Sequence, residues 1–243
     1  MPTKLSVNVN KIALLRNTRD NNIPDVTRLA RLALDAGAHG ITVHPRPDQR
    51  HIRPADVDAI ARLLTRFPQA EFNIEGNPFH GLVEHCARVK PTQATLVPDA
   101  PGQKTSDHGF DLARDAARLA PVVAQLKALG CRVSLFLDAD PAQVERVPAT
   151  GADRCELYTE PYARGHAAGA PGPALEAIAA CTLLAGRLGV GVNAGHDLSL
   201  ANLADLLRAA PGIAEVSIGH ALVAEALEYG IEETIRRYRD ICK

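Results

Sequence analysis

The sequence has no tryptophan, a single methionine and only 4% aromatic residues among its 243. A core of any size must therefore be aliphatic, built from Ala, Leu, Val and Ile within the 46% apolar content. An excess of charge of one sign is also missing, with 27 Lys and Arg against 28 Asp and Glu. That balance leaves no electrostatic footprint for nucleic acid or an anionic membrane, so an anionic ligand must be met by a local cluster. No apolar run approaches the roughly 18 residues that span a bilayer. Met1 to Lys4 lead straight into a strand-like run, so no signal peptide is expected. Cys86, Cys131, Cys155, Cys181 and Cys242 include no C-x-x-C pair and are odd in number. This argues against a disulfide scaffold or a structural zinc and suits buried thiols in a reducing cytoplasm.

What is present is alternation. Strand-like runs at 5–9, 40–43, 70–74, 93–97, 132–137, 154–158, 190–193 and 215–218 are separated by helical runs. In the first helix Leu29, Leu32, Ala33 and Ala36 recur at helical spacing, with Asp25 near the start and Gly37 at the end. Pro54 opens the next, at a position where a missing N–H costs nothing. Further helices are expected over 78–89 and 111–129, from Pro141, up to Gly189, from Ser199, and over 221–241. The Gly/Ala/Pro-rich stretch 159–173 reads as a loop. Strict β-α alternation predicts a parallel sheet with helical crossovers. Eight such units in about 250 residues predict a closed (β/α)8 TIM barrel, one domain over 1–243. An open doubly wound sheet would be expected to carry a Gly-rich turn after its first strand, and Asn8-Val9-Asn10-Lys11 is not one.

Barrels of this kind place their chemistry at the C-terminal strand ends. Here those ends carry Asn8 and Asn10, then His44, Glu75, Asp99, Asp138, Glu156, Asn193 with His196, and Gly219 with His220. Asp99 and Asp138 read as turn or cap residues, but capping does not explain so many polar side chains on one rim. His44 suits a proton shuttle, since an ordinary imidazole titrates near neutrality. Two prolines stiffen the loop from His44 to His51, which lowers the entropy cost of setting Arg46 and His51 on a ligand; a solvated charged loop is the plainer alternative. Glu75 follows Phe72 and Ile74, so partial dehydration is expected to raise its proton affinity and make it a base; a salt bridge to an arginine is the alternative. The turns at 193–197 and 217–221 are where barrels commonly hold phosphate on backbone N–H groups, unless they are simply tight turns.

One set of segments runs through nearly the whole chain in order: Val7-Asn8 with Leu15-Arg16-Asn17 and Arg19, residues 40–44 with Arg46 and 50–52, Asn73-Ile74-Glu75, and Leu96-Val97-Pro98. It continues in 133–136, Val192 to His196 and Ile218 to Ala221, with a looser match at Glu156 to Thr159. In these segments the chain resembles the pyridoxine 5′-phosphate synthase family of vitamin B6 biosynthesis. The resemblance implies condensation of 3-amino-1-hydroxyacetone phosphate with 1-deoxy-D-xylulose 5-phosphate, without metal or redox cofactor, in an octamer. On the family pattern His44 and Glu75 are bases and His196 an acid. Asn8, Arg19, Gly219 and His220 would hold the amino-ketone phosphate, and Arg46, His51 and Thr105 the sugar phosphate. Much of the family has Asp-His where this chain has Asn10-Lys11, and Gly where it has Asp197; all three are expected to face substrate.

Three rivals remain at this level. A Schiff-base aldolase would use Lys11 as its amine. A metal-dependent hydrolase would need clustered ligands, and the first strand offers Asn-x-Asn instead of a His pair. A non-catalytic phosphate-binding barrel would bind substrate without turning it over.

Overall fold

In this computed structural model, which describes residues 2–100, 102–103 and 105–243, strands and helices alternate to the end of the chain. Strand β1 (Lys4–Asn8) leads into α1 (Asn10–Arg16) and α2 (Val26–Asp35), β2 (Gly40–Val43) into α3 (Pro54–Leu64), and β3 (Glu71–Gly76) into α4 (Leu82–Val89). Strand β4 (Gln93–Leu96) precedes α5 (Leu112–Ala128), and β5 (Arg132–Leu137) precedes the short α6 (Pro141–Val144) and α7 (Val147–Thr150). Then come β6 (Arg154–Tyr158), α8 (Glu160–Ala167), α9 (Gly172–Arg187), β7 (Gly191–Gly195) and α10 (Leu203–Ala209). The chain closes with β8 (Ile213–Ile218), α11 (His220–Tyr229) and α12 (Ile231–Ile241). Each strand pairs in parallel with the next, and β8 returns to β1 with Leu5 opposite Val216, which closes the barrel. The predicted (β/α)8 architecture is the one observed.

The aliphatic core forms where strand side chains meet the helices: Val7, Ile41, Ile74, Ala94, Val133 and Leu135 are all fully buried. All five cysteines are buried and free, as small apolar residues would be. The lumen is different. Barrels usually fill it with layers of branched aliphatic residues, but here successive strands contribute hydroxyls, amides and charges. Ser6 and Thr42 share a hydrogen bond of 2.7 Å, Asn73 Nδ2 donates to Thr42 at 3.3 Å, and Thr95 donates to Asn73 at 3.0 Å. Toward the strands' N-terminal ends, Glu71 binds Lys4 and Arg132, Arg132 donates to Gln93 at 2.8 Å, and Gln93 donates to Glu215 at 3.2 Å. These polar groups satisfy one another, as burial demands.

Two expected elements differ and one helix was not expected. The stretch 159–173 is not one loop, because α8 occupies half of it: Pro161 sits in the first turn, where it is tolerated, and Glu160 favours the helix N-terminus. The run after β1 is helical from Asn10 onward. The helix expected over 221–241 breaks at Gly230, whose φ of 79° and ψ of 151° no helix can contain. Among the described residues, no helix is long and apolar enough to cross a membrane.

Candidate active site

At the C-terminal ends of the strands lies a cavity of about 530 Å³. His44, Glu75 and His196 all line it, as do Asn8, Asn10, Lys11, Arg46, His51, Thr105, Asp197, Gly219 and His220. Of the expected site residues only Arg19 stands apart; it is exposed in the turn after α1 and does not reach the cavity wall in this chain.

The strands bring these groups together because each ends on the same rim. His44 is the first residue past β2, and its Nδ1 lies 3.7 Å from Oε2 of Glu75. Its Nε2 lies 3.5 Å from Oδ2 of Asp99, which in turn takes Arg46 at 2.5 Å. Asn10 accepts the backbone N–H of His44 at 2.9 Å, so the start of α1 fixes the end of β2. Asn8 donates to Glu75 at 3.4 Å. Gly219 lets β1 come close, since a Cβ there would lie 3.2 Å from Asn8 Cβ.

Electrostatics divides the cavity. Burial, reinforced by Arg46, holds His44 well below its usual proton affinity. Burial with Arg46 and Arg50 pulls His51 down to about 4. The carboxyls move the other way. Burial, then the charge of Asp99, pushes Glu75 up to about 8. Burial, then Glu75 and Glu215, pushes Glu156 well above the carboxylate range. Burial raises Asp99 too, against the pull of Arg46. Near neutral pH the His44–Glu75 contact is therefore an imidazole facing a largely protonated carboxyl, not a fixed ion pair. Such coupled carboxyls titrate as a unit and cannot all ionise in one desolvated space. The result is a neutral base beside a proton reservoir, which suits repeated proton transfer.

Across the mouth, His196 lies just past β7, with its ring edge-on to Tyr158 at 5.0 Å. Its Nε2 is 3.1 Å from the Thr105 hydroxyl. Thr105 belongs to the segment after β4, which is also tied to the loop after β2: Arg50 donates to the Gln103 carbonyl at 2.9 Å. The turn after β8 opens directly into α11, and Gly219 and His220 at that junction line the cavity. The turn after β7 differs, since α10 begins only at Leu203.

Asp99 corrects the sequence reading. It is 4% exposed and bonded to Arg46, so it backs the side chains that line the cavity and is not a turn residue. The apolar run Leu96-Val97-Pro98 before it was the available signal, the same one that singled out Glu75. Glu156, noted only as a rim residue, is 3% exposed and lines the cavity. Asp138 is not a local cap: its side chain ties β5 to the segment before α5, accepting the Gly109 N–H at 3.0 Å. His39 lies away from the cavity and accepts from Leu5 N at 3.0 Å.

Residues 5–243 match the family described as "Pyridoxal phosphate biosynthesis protein PdxJ". The chain belongs to the PdxJ family. Among curated proteins it is 58% identical to "Pyridoxine 5'-phosphate synthase" of Xanthomonas campestris pv. campestris over 98% of this chain and 95% of that one. It is 56% identical to the protein of the same name from Albidiferax ferrireducens, over 98% and 96%. Among solved structures it is similar to phosphoribosyl anthranilate isomerase from Thermus thermophilus, with a TM-score of 0.59 at 14% identity over 98% of each chain. At that identity the likeness concerns the barrel alone. Membership in PdxJ makes the chain an enzyme of vitamin B6 biosynthesis, in agreement with the resemblance read from its motifs.

Proposed function

We propose that this cavity carries out the pyridoxine 5′-phosphate synthase reaction with His44 and Glu75 as bases and His196 as the acid. The amine of 3-amino-1-hydroxyacetone phosphate attacks the ketone of 1-deoxy-D-xylulose 5-phosphate. Dehydration, loss of one phosphate and ring closure give pyridoxine 5′-phosphate, inorganic phosphate and water. The observation that carries this reading is His44, lowered in proton affinity, facing Glu75, raised to about 8, inside one cavity. A neutral imidazole accepts the proton of the condensing amine or of a C–H beside the carbonyl. Glu75, poised near the working pH, both takes and returns protons. His196, which also lines the cavity, would protonate the leaving hydroxyls. Water is formed repeatedly, so a buried site favours each dehydration.

The two phosphates are assigned to two ends of the cavity. Asn8, Gly219 and His220 at the start of α11 would take the amino-ketone phosphate. Arg46, His51 and Thr105 would take the sugar phosphate, with Asn10 and Lys11 at its edge. Arg19, exposed here, would join only where another surface brings it in. The reading uses no metal or redox cofactor and suits a cytoplasmic enzyme. Assembly into an octamer is proposed with it, supported by exposed Leu14 and Leu15 on α1 and by Leu227, 80% exposed, on α11; light scattering that finds a lone chain would remove it. The direct test is incubation with both substrates while following pyridoxine 5′-phosphate and inorganic phosphate, with either substrate omitted as control. Binding without product would leave the non-catalytic barrel in its place.

A further inference from the structure

The turn after β7 is bent in a way ordinary residues avoid. His196 has φ of 93° and Asp197 φ of 58°, two consecutive non-glycine residues in the left-handed region. Such a conformation persists only where surroundings impose it, and it gathers at functional sites. The surroundings are specific. Buried Thr159 donates its hydroxyl to the carbonyls of Gly195 at 2.8 Å and His196 at 2.5 Å. Asn202 Nδ2 donates to the Asp197 carbonyl at 3.1 Å, and Tyr162 holds the Asn202 carbonyl at 2.6 Å. In an extended strand, neighbouring side chains point to opposite faces. The bend instead brings them together, with Asp197 Oδ2 3.2 Å from His196 Nδ1. Hydrogen bonding to His196 in turn holds the Asp197 carboxyl below its usual range, helped by the charges of His220 and Lys11.

We infer that Asp197 is a positioning residue for His196 and not a substrate ligand: it grips Nδ1 and leaves Nε2 as the nitrogen that exchanges protons in the cavity. The inference rests on the reading of His196 as the acid. A carboxylate only accepts, so Nδ1 must be the donor of this pair. In the neutral ring Nε2 then carries the lone pair, and in the charged ring it carries the proton to be delivered. Nε2 is the nitrogen that meets Thr105 on the cavity wall.

Asp197→Gly tests this, because glycine adopts the left-handed turn freely and the fold should survive. The expected result is a fall in kcat of about ten-fold, the low end for an orienting partner since Asp197 is partly exposed, with both KM values little changed. Asp197→Asn tolerates the same backbone, but its amide can donate to Nδ1 as well as accept from it, so it should also lower kcat and shift His196 toward the Nε2-protonated form. Nitrogen NMR of histidine-labelled protein at about pH 8, where an ordinary imidazole is neutral, should show His196 protonated on Nδ1 in the parent and shifted toward Nε2 in the glycine variant; His196→Gln identifies the signal. A rise in one KM at unchanged kcat or an unchanged nitrogen pattern would overturn the inference. The NMR result does not depend on turnover, so failure of the parent to make pyridoxine 5′-phosphate would count against the synthase reading alone.

Discussion

Glu75 and Lys11 make opposite demands on the same cavity. Glu75 is 9% exposed and Lys11 is exposed on the first turn of α1. Glu75→Gln keeps the side chain's size and removes its ability to take a proton; kcat should fall about 10²–10⁴-fold while phosphate binding, measured calorimetrically, survives. Near-normal turnover would leave Glu75 a structural residue. Lys11 is proposed to meet the sugar phosphate by charge alone. A charged hydrogen bond contributes about 1.5–3 kcal/mol, so Lys11→Met should weaken that substrate about ten- to hundred-fold and spare the amino-ketone. Lys11→Arg should recover much of the loss. An imine-forming lysine predicts instead that Arg is as inactive as Met and that borohydride links substrate to position 11. The polar ends of β2, β3 and β7 identified His44, Glu75 and His196 from sequence because an ionisable residue after an apolar run is conspicuous. Asp99 has the same signature, but a proline beside it imitates a turn, and only its 2.5 Å contact with Arg46 tells the two apart.

At the level of elements, α1 locks the site's loops in place, and its existence was not legible. Val9 at the N-cap supplies no side-chain hydrogen bond, and the first N–H of the helix is taken by Asn8 Oδ1 at 3.0 Å, one residue earlier than an ordinary cap. The helix is held by tertiary contacts instead. Arg16, 6% exposed, forms a paired contact with Asp56 of α3 and donates to the His51 carbonyl at 3.1 Å. Asn17 donates to the same carbonyl at 2.8 Å. The loop bearing Arg46 and His51 is thus anchored from behind. Arg16→Leu leaves Asp56 buried without its partner, which should cost about 3–5 kcal/mol of stability, read as a lower urea midpoint. Asp56→Asn added to it should return part of that loss, whereas an unaltered midpoint in the single variant would show that the pair is not needed. α8 was missed for the converse reason: Gly and Pro punctuate its sequence, yet Pro161 falls in the one turn where it does no harm. The strands were read well because their β-branched runs are short and bounded, although β3 and β7 extend two residues farther than their apolar cores suggested.

The whole molecule carries its polarity inside the barrel, and this should appear in its response to pH. Glu75 binds its proton up to about 8 in the folded protein, whereas an unfolded glutamate releases it at the ordinary value of 4.5. Below that ordinary value both states are protonated and the stabilising difference is fully present. As pH rises toward about 8 the native state holds protons that the unfolded chain has lost, so stability falls across this window. Glu156, raised by burial and by Glu75 itself, acts in the same direction. His51, lowered to about 4, and Glu71, lowered to about 2 by Arg132 and Lys4 against the effect of burial, act oppositely: their contributions are lost as pH falls. The net profile of the parent is therefore a dome, and a difference between variants separates its parts. Glu75→Gln cannot ionise and lacks the share of the descending alkaline limb that Glu75 contributes. Its stability relative to the parent should rise steadily between about pH 5 and about pH 8, by on the order of a few kcal/mol at the upper end. Urea unfolding of both proteins across that range measures the gap directly. A gap that stays constant with pH would mean that Glu75 titrates like a solvated carboxylate, and the proton reservoir assigned to the cavity would go with it.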